Sequence, residues 1–246
     1  MTALLILLLL LVIFIVVWMI EPRAYLFWFQ SLMFKVDRES SFISDIHHYF
    51  PESKKIEENA DLILSEFLDF SKHLAAIPRA HEIDEYNKEI SRTSGPGWRT
   101  FYLKVYNGWF NQNCDYFPQT TRLFRDILNV TCVMFSVMEP GNDIPPHQGK
   151  MKGLLRYQLP LIVPEENKCS ITVNHQLHYY KKGIPILFDD NVLHSAKNEA
   201  QSHRVVLFLD IRKKSPSLLR LLDDFCMKLI QWSPKFTKAN VGLHPN

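Results

Sequence analysis

The sequence predicts a mainly β domain, a sandwich or barrel braced by helices, behind one membrane-spanning helix. Three observations predict it. Short runs rich in β-branched and aromatic residues follow one another between residues 99 and 211, each bounded by turn residues. Helical patterns are confined to the segments before and after these runs, apart from one short helix among them. The chain also opens on a long uncharged aliphatic run.

Length and composition leave room for one ordinary domain or one domain plus an appendage. The 246 residues are 47% hydrophobic and 13% aromatic, enough for a sizeable core and too apolar for a disordered chain. A net charge of +2, from 28 basic and 26 acidic side chains, lacks the basic surface that nucleic acid needs, so no nucleic-acid partner is expected. Cys114, Cys132, Cys169 and Cys226 are widely spaced with no CxxC pair. This argues against a disulfide scaffold or a structural zinc site and suits a reducing compartment. Cys132 and Cys169 lie in apolar, strand-like runs and read as small buried residues.

Taken in order, the opening run is TALLILLLLLVIFIVVWMI, residues 2–20. As a helix it covers roughly 28 Å, close to the hydrocarbon thickness of a bilayer. No Lys or Arg precedes it, and WMIEPRAYLFWF offers no small-residue cleavage site. An uncleaved transmembrane anchor over 1–22 is therefore expected rather than a secretory signal peptide. Arg23, Lys35 and Arg38 follow the run, which places the bulk of the chain on the cytoplasmic side of a single pass. The aromatic stretch AYLFWFQSLMF, within a juxtamembrane segment 23–39, has two readings: an interfacial segment at the headgroups, or an amphipathic piece packed on the domain. Residues 55–76 put Ile56, Leu62, Ile63, Phe67, Leu68 and Phe70 on a helical stripe closed by Pro78. SRTSGPGW, 91–98, is a loop. Strands are expected at 99–106, 131–138, 155–163, 169–174, 184–189 and 204–211, with helices over 119–128 and 217–232. The part beyond the membrane reads as a single domain, 40–240.

Ten histidines make any one of them a weak signal. His47, His48, His73, His81, His175, His178, His203 and His244 stand near a helix start, in a hairpin or in polar surroundings, and read as surface or hydrogen-bonded residues. His147 and His194 differ. One follows the turn-rich MEPGNDIPP after a strand, and the other follows ILFDDNVL just past another. In a double-sheet barrel, two strand ends can bring distant imidazoles onto one metal ion, and iron, zinc and copper all suit them. Arg156 shares a strand face with Gln158 and Ile162, and Arg204 with Val206 and Phe208. A guanidinium among apolar strand residues needs a partner. Each arginine either turns to solvent at a strand end, pairs with Asp189, Asp190 or Asp210, or meets a dicarboxylate cosubstrate in a bidentate fork. The histidine shortly before each arginine favours the cosubstrate.

The blocks HxG–x6–R and FDD–x3–H–x9–R, in SVMEPGNDIPPHQG, LLRYQLPLIVPE, GIPILFDDNVLHSAKN and HRVVLFLDIRK, resemble the aspartyl/asparaginyl β-hydroxylase family of iron(II)- and 2-oxoglutarate-dependent dioxygenases. Within that family the chain is most similar to the membrane-bound lipid A hydroxylases of Gram-negative bacteria. With GWRTFYLKVYNG upstream, the resemblance covers 95–214, the expected core of the domain. It implies a double-stranded β-helix, the jelly roll of cupin-like proteins, with Fe(II) as cofactor and 2-oxoglutarate and O2 as cosubstrates. By position, His147 and His194 would be the iron ligands. Arg204 would hold the distal carboxylate of 2-oxoglutarate, and Arg156, Ser136 and Gln158 would help at the cosubstrate. The family often has His where Gln158 stands. Lipid A hydroxylases tend to have Asp where this chain has Gly149; other members have Gly there and use two histidines, with water completing the iron's coordination. Asp189 and Asp190 are then candidates for orienting His194.

The resemblance implies oxidative decarboxylation of 2-oxoglutarate coupled to hydroxylation of an unactivated C–H bond, on the cytoplasmic face of the inner membrane. The leading expectation is a membrane-anchored hydroxylase of an acyl chain of lipid A or a related lipid. A second keeps the chemistry but acts on Asp or Asn side chains of a protein, and a third is a catalytically silent 2-oxoglutarate-binding module. The sequence carries no signal for oligomeric state.

Overall fold

The N-terminal run forms helix α1, Thr2–Ile20, and a second helix, α2, follows over Arg23–Met33. Pro22 stands at the N-cap of α2, where its missing N–H and fixed φ end the first helix and start the second. The two axes are bent by 103°. Among the described residues no single helix is long and apolar enough to cross a membrane, although the bent pair passes by length and composition together. The run expected to cross as one helix is thus followed, past the break at Pro22, by a second helix set at a steep angle to it. The protein is described from a computed structural model covering residues 2–34, 41–83, 90, 97–237 and 241–243. Lys35, Arg38, His244, the end of the 23–39 segment and most of the 91–98 loop lie outside the described residues.

Beyond α2 come α3 (Ile46–Tyr49), α4 (Ser53–Glu58), α5 (Ala60–Phe70), a 3-10 turn (Ser71–Ala76) and α6 (Ala80–Ile83). The single helix expected over 55–76 is broken at Asn59, which serves as C-cap of α4 and N-cap of α5. Ile56, Ile63, Phe67 and Phe70 are buried as the stripe predicts, but Leu68 faces solvent. Strands β1 (Trp98–Val105) and β2 (Gly108–Trp109) lead to α7 (Asn111–Cys114) and α8 (Pro118–Arg125). Eight strands then run β3 (Val130–Met138), β4 (Asn142–His147), β5 (Leu154–Ile162), β6 (Cys169–Val173), β7 (Gln176–Tyr179), β8 (Ile186–Phe188), β9 (His194–Asn198) and β10 (Arg204–Arg212). Helices α9 (Ser217–Gln231) and α10 (Pro234–Thr237) follow.

The strands form two antiparallel sheets, ordered β2-β1-β3-β10-β5-β8 and β4-β9-β6-β7. From β3 onward successive strands alternate between the two sheets, apart from the β6–β7 hairpin within the smaller one, the connectivity of a jelly roll, as expected. The fold is mainly β with bracing helices. In the larger sheet, residues directly opposite one another share a face. Val133, Phe135, Val137, Leu207, Leu209, Tyr157 and Leu159 point away from the second sheet and pack with Phe50, Ile63, Phe67, Phe70, Phe117 and Phe124 of the helical layer. Phe135 stacks on Phe117 at 4.4 Å and meets Phe67 at 5.1 Å. Buried Glu66 of α5 ties that layer together by accepting from the backbone N–H of Gln119 and Thr120, both at 2.8 Å, at the start of α8.

The other face looks into the barrel. Met134, Val206 and Phe208 pack there with Ile171, Val173 and Phe188. Arg156, Gln158, Ser136 and Arg204 sit on this same face by register. Ile162, expected to share it, does not. A bulge where Val205 pairs with Ile162 and Val206 with Pro160 shifts the alternation, and Ile162 packs on the helical side. Cys132 and Cys169 are small buried residues of the interior, as expected.

Phe135 is the central side chain between sheet and helices. Phe135→Ala is expected to destabilise the domain by about 3–5 kcal/mol, since its stacked neighbours cannot close the cavity. Denaturant unfolding in detergent measures this.

Candidate active site

Two residues that the sequence reading set just beyond strands are themselves strand residues. His147 ends β4, His194 begins β9, and the two are cross-strand partners in the smaller sheet. The segment read as a turn-rich loop before His147 is an edge strand, where Pro145 and Pro146 interrupt no ladder on the outer side. A register shift between the Ile144 and His147 pairs makes room for these prolines and aims the ring of His147 at its partner. The ring centroids are 4.2 Å apart.

Each imidazole is fixed in the same way. His147 Nδ1 lies 2.8 Å from the carbonyl of Pro145, and His194 Nδ1 lies 2.8 Å from that of Val192. A carbonyl only accepts, so each Nδ1 carries the proton and each Nε2 keeps its lone pair. Burial lowers the pKa of His147, and burial together with the neighbouring His147 pushes that of His194 well below the usual value. Two neutral rings with free Nε2 atoms are what a metal ion requires of histidine. Among the described residues, no group of three or more His, Cys, Asp or Glu is arranged to hold a metal ion.

Gly149 has a specific steric reason. A Cβ there would sit 1.5 Å from Oδ2 of Asp190, and the backbone N–H of Gly149 donates to the Asp190 carbonyl at 2.7 Å. The carboxylate of Asp190 therefore fills the space that a side chain at 149 would take. Its Oδ1 lies 3.4 Å from His194 Nε2 and 2.5 Å from Arg156. Asp189 points elsewhere: it accepts from the backbone of Asn191 at 3.1 Å and pairs with Lys213 at 2.5 Å, shaping the turn before β9.

The two arginines have different surroundings. Arg156 is held between Asp190 and Asp210, 3.0 Å away on β10, and lies over the Phe208 ring at 4.1 Å. Burial works against its charge, but the two carboxylates win and raise its pKa above the usual value; burial in turn raises that of Asp210. Of the partners open to Arg156 in the sequence, the structure gives it aspartates. Arg204, at the far end of β10, is buried over the Tyr180 ring at 4.9 Å, and its Nε has no hydrogen-bond partner. Tyr180 donates to Oε1 of Gln158 at 2.5 Å, and Ser136 accepts from the indole N–H of Trp98 at 3.1 Å. Nothing in the sequence pattern marked Tyr180.

A cavity of about 290 Å³ opens onto His147, Gly149, Arg156, Asp190 and Asp210, with Tyr102, Met134 and Phe208 as apolar walls. His194, Arg204, Ser136 and Gln158 lie outside its lining. Glu21, Arg23, Ala24 and Phe27 form the opposite wall, so the segment after α1 is part of the site. No spacing in the sequence linked it to the histidines. His178, by contrast, lies on β7 against Phe42 at 5.3 Å, and His175 takes positive φ in the two-residue turn before it.

A sequence model of the aspartyl/asparaginyl β-hydroxylases matches residues 57–214. The chain belongs to the aspartyl/asparaginyl β-hydroxylase family. A relative in Rhizobium tropici, the ornithine lipid ester-linked acyl 2-hydroxylase, is 34% identical over 79% of this chain and 69% of its own length. The human aspartyl/asparaginyl β-hydroxylase is 29% identical over 64% of this chain but only 20% of its own. Among solved structures, a prolyl-4-hydroxylase of Pseudomonas putida aligns over 63% of this chain and 88% of its own at 13% identity, with a TM-score of 0.40.

Two outcomes follow within this family member. Gly149→Asp drives Asp190 off Arg156 and is expected to cost about 1–3 kcal/mol by overpacking, with Asp190→Gly in the same chain restoring much of it; thermal unfolding of the single and double variants checks this. The buried neutral histidines set a pH dependence. Their folded pKa values lie below the unfolded value of 6.5, so the unfolded chain takes up protons first as pH falls. Their stabilising contribution is full above 6.5 and is lost as pH drops through that value. Melting temperature should fall across this window, and less steeply in His194→Gln.

Proposed function

We propose that this protein is a membrane-anchored Fe(II)- and 2-oxoglutarate-dependent dioxygenase that hydroxylates an acyl chain of a membrane lipid, lipid A or a related one. The observation that carries the chemistry is the pair of adjacent imidazoles with both Nδ1 atoms committed to carbonyls. In this reading His147 and His194 hold the iron through Nε2. Bound iron, with 2-oxoglutarate and O2, supplies oxidative decarboxylation to succinate and CO2, with the second oxygen atom inserted into a C–H bond of the substrate.

The residues fit the two groups. Arg204, buried and with Nε unpartnered, is the cation available for the distal carboxylate of 2-oxoglutarate. Ser136 and Gln158 are polar groups on the same interior face, and Gln158 is held in place by Tyr180. Arg156, already compensated by two carboxylates, acts at the cosubstrate chiefly by fixing Asp190 beside His194. Asp190 brings to the metal side the negative charge that Gly149 lacks, as an acceptor near the ligands. Tyr102, Met134 and Phe208 give the cavity an apolar wall against which a substrate C–H would sit.

The name of the rhizobial relative, an ornithine lipid ester-linked acyl 2-hydroxylase, supports a lipid substrate. The uncharged α1 supports a single-pass anchor over 1–22 in the inner membrane, with the domain over 40–240 on the cytoplasmic side. Purified anaerobically with iron(II), the protein is expected to convert 2-oxoglutarate to succinate. Mass spectrometry of lipids from cells with and without the gene should show one added oxygen on an acyl chain. His194→Ala abolishes both signals, whereas His178→Ala retains them. Arg204→Met is expected to raise KM for 2-oxoglutarate by about 10–100-fold, the loss of one charge-assisted contact. Unchanged lipids with hydroxylated Asp or Asn in a protein would move the substrate to the second class, and absence of succinate under every condition would defeat the enzymatic reading.

A further inference from the structure

Helix α9 carries two apolar faces where a helix on a globular domain ordinarily has one. Met227 and Ile230 are buried against Leu26 of α2, and Asp223 accepts from the Gln30 amide at 2.8 Å. On the other side Leu218, Leu221, Leu222, Phe225 and Trp232 recur at helical spacing and are exposed, Leu221 at 67% and Trp232 at 63%. At 100° per residue these five fall within an arc of roughly 100°. A stripe of that width and size is uncommon on a surface that meets only water.

Three features identify what covers it. The neighbouring helix α2 also exposes large apolar side chains, Trp28, Leu32 and Met33. The end of α1 is fastened to α9 and α10, with the Trp18 indole N–H donating to the Leu229 carbonyl at 2.6 Å and Glu21 pairing with Lys235 at 3.1 Å. Finally, the 103° bend sets α2 nearly perpendicular to α1, so a bilayer entered by α1 along its normal has α2 lying in its surface plane. The exposed Lys228 of α9 stands at the edge of the stripe by helical spacing, suited to a lipid phosphate.

From this juxtaposition we infer that α9 is a second membrane-contacting element, which together with α2 forms a platform resting in the headgroup region of the bilayer. This rests on the reading of α1 as a membrane anchor. Its consequence is positional: Arg23, Ala24 and Phe27, which wall the cavity, belong to the platform, so the cavity is set beside the lipid rather than in the aqueous phase. An acyl chain then reaches His147 by a lateral path along α2, with no need to leave the membrane for water.

The test uses the full chain in nanodiscs of phosphatidylcholine and phosphatidylglycerol. Single nitroxide labels are placed at Leu221, at Leu10 in α1 and at Asp69 on α5, in a Cys226→Ala background because the other three cysteines are buried. Accessibility to oxygen and to a water-soluble nickel chelate is measured at each. The oxygen-to-nickel ratio at Leu221 is expected to lie several-fold above that at Asp69 and on the side of Leu10. A lipid value at Leu10 with a water value at Leu221 overturns the platform and leaves the anchor standing, whereas a water value at Leu10 defeats the anchor reading itself. A Leu221 label shielded from both quenchers, with dipolar coupling between copies, overturns the platform in favour of a second copy of the chain.

Discussion

A buried guanidinium has to be paired, and the arrangement around the histidines is organised by how Arg156 meets that requirement. Its charge is placed on β5 between one carboxylate from the adjacent strand β10 and another from the turn before β9. Removing either leaves an uncompensated charge in the interior, which is far more costly than never having buried the group. The contact with Asp190 crosses from the large sheet to the turn that leads into the small one. It therefore fixes the approach of the chain to His194, and Gly149 is what lets that carboxylate fit. The histidine pair, the glycine and the arginine are parts of one packing solution.

That solution also changes what the missing acid at position 149 means. Next to the family pattern it looks like a lost ligand. In space, the volume is occupied by a carboxylate from the turn before β9, held by its own counter-ion, Arg156. A side chain at 149 and the present position of Asp190 exclude each other sterically. The substitution is thus coupled to a second residue, and its effect depends on both.

The large sheet was legible because its strands are strongly β-branched and buried on both faces. The run RVVLFLDI interleaves Val205, Leu207, Leu209 and Ile211 for the helices with Arg204, Val206, Phe208 and Asp210 for the interior. The small sheet was less so. NDIPPH and HSAKN have weak strand propensity, and they are strands because cross-strand pairing imposes it. The bulge that turns Ile162 outward and the break at Asn59 are decisions of tertiary packing that no local pattern records. Within the site, the histidines and arginines stood out by residue type and spacing. Their partners did not, since the pairing of Arg156 depends on register between strands, and the wall formed by Arg23 and Phe27 depends on the fold returning to the start of the chain.

The proline pair of β4 has an effect beyond aiming His147. This strand is one of the two rims of the small sheet, and a free rim is a template on which another chain can add a strand. Pro145 and Pro146 offer no N–H and bend the rim away from a flat ladder, so intermolecular strand addition finds no continuous row of donors there. That makes this edge of the barrel resistant to edge-to-edge aggregation.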